Sequence, residues 1–350
     1  MISRRIHHAR RRRSAVPFRV TRLVYVGIAV MCGCGGRTGV RNSESRDATI
    51  AAPVQYDAHR FFLRPITQTN DTLLLFIDTG GSNMLRRTVA ERAGLSPSPQ
   101  LSHRGDTTWV VPLPLFKEGA GVPIPAGAAA PLMEVPSSAS MSAMAKFWPG
   151  TTRWSGELGG VSLGDGMWTF DYGRGRLLLH PRSAALLAGA PHVIPIFFKV
   201  DGNTRPSNFA RLRALVDGDS LDLLFDTGAT VTLADSAWQI IGDGLPRERA
   251  TSFIAASVFD RWRRDHPEWR VIERAEFYTG REMIELPTVS IGGFSVGPVW
   301  FTRRLDTEFV PFVSTGTDRP VIGAVGGSAL QYFAVTVDYR RALAEFTRAR

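Results

Sequence analysis

Twice in this chain a run of apolar residues ends in the tripeptide Asp-Thr-Gly. Leu73 to Ile77 runs into Asp78, Thr79 and Gly80, and Leu223 to Phe225 runs into Asp226, Thr227 and Gly228. Short apolar runs bounded by turn residues read as buried strands, so each carboxylate is delivered by a strand end. That placement is costly. An ionised carboxylate beside apolar surface must be solvated, hydrogen-bonded or protonated, and two such groups brought together cannot both be comfortably charged. A pair sharing one proton is equipped for general acid and base work on water.

The tripeptides are the first of three landmarks that recur in the same order. Leu73 to Asn83 reads LLLFIDTGGSN and is followed downstream by Gly156, Glu157, Leu158, Gly159 and Gly160, then by Phe170, Asp171 and Tyr172 with Arg174, Arg176 and Leu177. Leu221 to Thr232 reads LDLLFDTGATVT and is followed by Val321, Ile322, Gly323 and Ala324, then by Val337, Asp338 and Tyr339 with Arg340, Arg341 and Leu343. Recurrence in order points to a duplicated unit whose loops have diverged. At 350 residues and 44% hydrophobic content the chain can bury two cores of ordinary domain size. The expected lobes are residues 54–185 and 190–350, with the ordered body starting near Val54. Short alternating runs, β-branched residues and frequent Gly and Pro predict a mostly β chain. Helices are expected at Thr88 to Ala93, Asp235 to Ile241 and Ala255 to Arg264. The Gly-, Ala-, Pro- and Ser-rich stretch Gly119 to Ala145 reads as an extended loop or Pro-paced β segment rather than a helix.

The formal charge of +10 raises the question of nucleic acid, but eight arginines and no acid lie in residues 1–33, so the leader holds most of that charge. This basic start, the apolar stretch Leu23 to Met31 and the small residues that follow read as an export signal over residues 1–34, with a polar tether over residues 35–53. The apolar stretch is too short for a membrane span. Cys34, preceded by Gly33 and followed by glycines, resembles the lipid-attachment site of a bacterial lipoprotein. Cys32 competes, Met31 stands where leucine is usual, and the alternative is a signal that is simply removed. The expected location is therefore exported: periplasmic, lipid-anchored at the cell envelope, or extracellular. From residue 50 onward there is no cysteine, so packed cores and not disulfides must stabilise the body.

Taken together, the landmarks resemble the aspartic protease superfamily, pepsin-like in having two lobes in one chain and retropepsin-like in the wording of DTGAT. The resemblance spans roughly residues 54 to 347 and suggests an exported bacterial aspartyl protease. It implies two related β lobes with few short helices, a cleft between them, and Asp78 and Asp226 facing each other at its floor. Glu157-Leu158-Gly159 and Val321-Ile322-Gly323 would brace the motif loops, and Glu157 departs from the apolar residue expected there. On physical grounds the two carboxylates would hold one water, one taking its proton while the other donates to the scissile carbonyl. Thr79 and Thr227 would bond across the lobe junction to backbone. Gly80 and Gly228 would permit a tight turn and leave N–H groups free for the carboxylates. A single such Asp is more simply a turn or cap residue; two in register favour catalysis.

Two departures shape the expected chemistry. Gly81 and Ala229 stand where pepsin-like enzymes carry Ser or Thr bonded to the outer carboxylate oxygen, and loss of donors raises a carboxyl pair's apparent pKa values. No tyrosine lies between the first motif and Gly156 to cover the site. Trp109, after the turn at Gly105-Asp106, is the candidate flap residue, its alternative being an ordinary core tryptophan.

Other chemistries are poorly represented. No metal site is expected, since after the leader the histidines show no paired ligand spacing and no cysteine is there to complete a zinc site, and no cofactor is expected either. No phosphate loop or nucleophile elbow occurs. Phe259 to Trp269 mixes Arg261, Arg263, Arg264 and His266 with Trp262 and Trp269. Its acids nearly balance it, so it reads as a solvated helix end and no nucleic-acid partner is expected. The expected partner is a peptide or protein substrate, and the protein is expected to be a monomer. The competing class is a protein that retains the protease scaffold, binds peptides or other ligands, and has lost turnover.

Overall fold

The two apolar runs become strands for the reason their composition implies: continuous Leu, Ile and Phe suit a strand buried on both faces and paired in parallel. In the computed structural model, which describes residues 48–101, 107–121, 132–147, 153–164 and 166–350, the strand Leu75–Asp78 pairs in parallel with Gly156–Gly159. Ile77 lies opposite Leu158 and Asp78 opposite Gly159. In the second half Asp219–Phe225 pairs in parallel with Gly323–Val325, Leu224 opposite Ala324 and Phe225 opposite Val325. Parallel neighbours need a long crossover, which is why so much chain separates each motif from its brace.

Counting both ladders from the aspartate aligns Gly156-Glu157-Leu158-Gly159-Gly160 with Gly323-Ala324-Val325-Gly326-Gly327. The Asp226 N–H donates to the Val325 carbonyl at 3.0 Å, and a short helix follows each brace, Gly160–Leu163 and Gly327–Leu330. The second brace therefore sits three residues beyond the Val321-Ile322-Gly323 read from sequence. Apolar pairs before a glycine are common, and hydrogen-bond register, not hydrophobicity, decides which one pairs.

The first motif strand lies in an eight-stranded sheet and the second in a nine-stranded one, and a six-stranded sheet is shared between the halves. At the middle of the shared sheet Met167–Asp171 runs antiparallel to Phe333–Asp338, with Thr169 opposite Thr336 and their hydroxyls 2.7 Å apart. The Asp-Tyr landmarks close these strands, Asp171 accepting from the Arg174 N–H and Asp338 from the Arg341 N–H. Phe170 packs on Phe61 and Phe225, and one hydrophobic cluster takes Ile77, Phe170, Phe225 and Val335 from both halves. Buried Arg60 adds a second link, donating at 2.7 Å to the Glu248 carboxylate. All described residues fall in one compact unit, Ser43–Arg350.

The chain is mostly β with few short helices, as its patterning predicts. The three expected helices occur as Arg87–Arg92, Asp235–Ile241 and Ala256–Asp265. Two further expectations are corrected. Strand structure begins at Ile50–Ala51, before Val54, because those residues pair with Leu178 and Leu179 at the edge of the shared sheet. At the end of the stretch read as loop, and running two residues past it, Ser138–Phe147 is a helix. The Ser137 hydroxyl accepts the Ser140 N–H at 3.1 Å, and the Ala, Met and Lys that follow are good helix formers. In the basic-aromatic segment Trp262 is buried, His266 stacks on Trp269, and Arg261, Arg263 and Arg264 pair with Asp219, Glu273 and Asp265. The leader, most of the tether and Cys34 lie outside the described residues, as does the turn at Gly105-Asp106. Among the described residues no helix is long and apolar enough to cross a membrane.

Because Phe170 joins the shared sheet to Phe61 of the first half and to Phe225 of the second motif strand, Phe170→Ala should cost about 3–5 kcal/mol. Urea unfolding followed by near-UV circular dichroism should still show one transition. Two separated transitions would mean the halves fold independently.

Candidate active site

Asp78 and Asp226 end their strands at the junction of the halves, and the four residues that follow them carry the geometry. Thr79 and Thr227 are fully buried, so their hydroxyls need partners. Each finds them in the other half. Thr79 Oγ1 donates to the Phe225 carbonyl at 2.7 Å and accepts the Thr227 N–H at 3.0 Å. Thr227 Oγ1 donates to the Ile77 carbonyl at 2.9 Å and accepts the Thr79 N–H at 3.2 Å. The carbonyls used belong to the residues just before each partner aspartate, so the exchange sets how far apart the two carboxylates stand.

The glycines do a job that turn geometry alone does not reveal. Neither Gly80 nor Gly228 has a positive φ. Each N–H donates to its own motif's carboxylate, Gly80 to Asp78 Oδ1 at 2.9 Å and Gly228 to Asp226 Oδ1 at 3.0 Å. The missing side chains matter as much. A Cβ on Gly228 would lie 2.1 Å from the Asp78 carboxyl carbon, and one on Gly80 would lie 2.9 Å from that of Asp226. Glycine in each motif is what admits the other motif's carboxylate, and the two carboxyls come within hydrogen-bonding reach of each other.

Burial pushes Asp78 above the ordinary carboxylate range, against the opposing effect of its bonds to Asp226 and to the Gly80 and Gly81 N–H groups. Burial, and then the neighbouring Asp78, hold Asp226 well above that range. Such a pair loses its protons in steps that belong to both groups. One shared proton is then the state that persists as the pH rises out of the acid range.

The carboxylates border a cavity of about 190 Å³ whose walls include Phe76, Trp154 and Phe253, with Glu157 beside Asp78. Phe76 and Trp154 stack with ring centres 4.4 Å apart. Of these aromatic walls Trp154 and Phe253 lie outside the recurring motifs, and Trp154 is marked in sequence by standing two residues ahead of the first brace. Glu157, the departure in the first brace, turns toward the aspartates, and burial followed by the charges of Asp78 and Asp226 holds it well above the carboxylate range. Trp109 is 46% exposed on the strand Thr107–Pro112 and does not line the cavity, so it is not a core tryptophan. No group of three or more His, Cys, Asp or Glu side chains among the described residues is placed to hold a metal ion.

No protein-family model matches the chain, and no curated protein matches it in sequence. Among solved structures, a retropepsin-like aspartic protease from Rickettsia conorii is matched at 16% identity, over 44% of this chain and 89% of that one, with a TM-score of 0.26. A likeness of that size carries no inference about activity; the carboxylates and their surroundings must supply it.

Thr227→Val would strip a partner from both the Thr79 N–H and the Ile77 carbonyl. It should cost about 1–3 kcal/mol of stability, whereas Thr227→Ser should stay close to the parent. Chemical denaturation of the three proteins side by side checks this, and equal stability of Val and Ser variants would refute it.

Proposed function

We propose that this protein is an aspartic endopeptidase that hydrolyses peptide bonds by a water activated between Asp78 and Asp226. The observation that carries the reading is the convergence of two buried carboxyls from equivalent strand ends, each served by a backbone N–H and spaced by the threonine exchange. With one proton between them, the ionised carboxylate takes a proton from water while the protonated one donates to the scissile carbonyl. No covalent intermediate is needed. The aromatic walls Phe76, Trp154 and Phe253 favour apolar side chains next to the scissile bond. The export signal expected from the sequence and the candidate lipid site at Cys34 would suit action at or beyond the cell envelope, on a peptide or protein substrate, by a monomer without cofactor.

Incubation of residues 48–350 with a diverse peptide library tests the reading. Cleavage is expected, it should stop with a statine-type transition-state mimic, and Asp226→Ala should abolish it. Cleavage surviving both would sink the carboxylate mechanism, and binding without cleavage would favour a ligand-binding scaffold. The raised carboxyls also set the pH dependence. Catalysis needs one proton on the pair, so the active window lies above the ordinary carboxyl value of about 4. A pH-rate profile that peaks at strongly acid pH would contradict this.

A further inference from the structure

The two halves differ at one pair of positions beside the carboxylates. Glu157 lies opposite Phe76 in the first parallel ladder, and Ala324 lies opposite Leu224 in the second. The residue after the motif differs in the complementary sense, Gly81 in the first half and Ala229 in the second. The fold thus accepts a methyl at both places, and a glutamate at 157 is not required by the ladder.

The space explains the exchange. A Cβ on Gly81 would lie 2.2 Å from Glu157 Oε1 and 2.6 Å from Asp78 Oδ2. The Glu157 carboxyl therefore fills the place into which a side chain at residue 81 would project, beside the Asp78 oxygen that the Gly80 N–H does not take. Strand alternation puts Glu157 on the same face as Gly159, which pairs with Asp78, so the side chain reaches the site without distortion. The ionisable groups facing it are Asp78 from the paired strand and Asp226 from the other half, and the Ser82 N–H donates to it. The strand Met84–Leu85 and the helix Gly160–Leu163, which also pack on this brace, carry no ionisable residue. Both oxygens, Glu157 Oε1 and Asp78 Oδ2, lie within 2.6 Å of that one Cβ position, and two buried carboxyls gathered there attract only if one bears a proton.

We infer that Glu157 is a positioning residue for Asp78: in its acid form its carboxyl O–H donates to Asp78 Oδ2, in the space left by the absent side chain of Gly81. The inference rests on the hydrolytic reading above. Three carboxyls then hold two protons, one fixed on Glu157 and one shared by the aspartates, and Asp78 keeps its orientation while substrate binds.

Three variants, each checked for folding by circular dichroism, test this. Glu157→Ala, the residue found at the equivalent place in the second half, and Glu157→Leu remove the donor. Each should lower kcat by about tenfold, the size of one charge-assisted hydrogen bond, with little change in KM. Glu157→Gln keeps an N–H donor and should recover most of that loss. The infrared difference between the parent and Glu157→Gln at neutral pH should show one protonated-carboxyl band. Full kcat in the Ala and Leu variants, a Gln variant no better than they are, or no such band would each overturn the inference. If the parent cleaves nothing, the hydrolytic reading fails, and the infrared band alone decides the placement of the Glu157 proton.

Discussion

Neither half of this protein can complete the hydrogen bonds of its own motif threonine. Thr79 and Thr227 are shut away from water, and the carbonyl and N–H that satisfy each hydroxyl belong to the opposite half. Leaving one such group unpaired costs about 1–3 kcal/mol, so the junction is stable only when both halves are present and in register. The other features of the site follow from that closure. The carbonyls chosen are those of Ile77 and Phe225, one residue ahead of each aspartate, so the bonds that join the halves also bring the two carboxylates together. The glycines after the threonines then have to be glycines, because the opposite carboxylate occupies the space a side chain would take.

Bringing buried carboxyls together has an electrostatic cost, and the site answers it with protons. Burial opposes ionisation of Asp78, Asp226 and Glu157 alike, and the backbone N–H groups offset only part of it. A site built this way is poised away from strong acid. Its asymmetry is local: around Asp226 the neighbours are Ala229 and Ala324, around Asp78 they are Gly81 and Glu157. Related halves that differ at this corner leave the two carboxyls in different surroundings.

The aspartates, threonines and glycines were legible because a polar tripeptide ending an apolar run is conspicuous, and because the same wording occurs twice. The mostly β character and three helices were legible from local pattern. The second brace was not, since Val321-Ile322 is as apolar as the residues that actually pair and only the ladder distinguishes them. The helix Ser138–Phe147 was hidden by small residues that suit a loop in composition while a serine cap starts a helix. Glu157 stood out as an anomaly, but its meaning depends on Gly81, far from it in sequence and adjacent only once Leu75–Asp78 and Gly156–Gly159 pair. The aromatic walls were illegible for the same reason, Phe76, Trp154 and Phe253 being gathered by three different segments.

The most direct measurement is a crystal structure of the body with a statine-type peptide bound near neutral pH. The account predicts the peptide's hydroxyl between the carboxyls of Asp78 and Asp226, within hydrogen-bonding distance of both, with its side chains against Phe76, Trp154 and Phe253. A peptide seated elsewhere, or a hydroxyl that touches neither carboxyl, would contradict it.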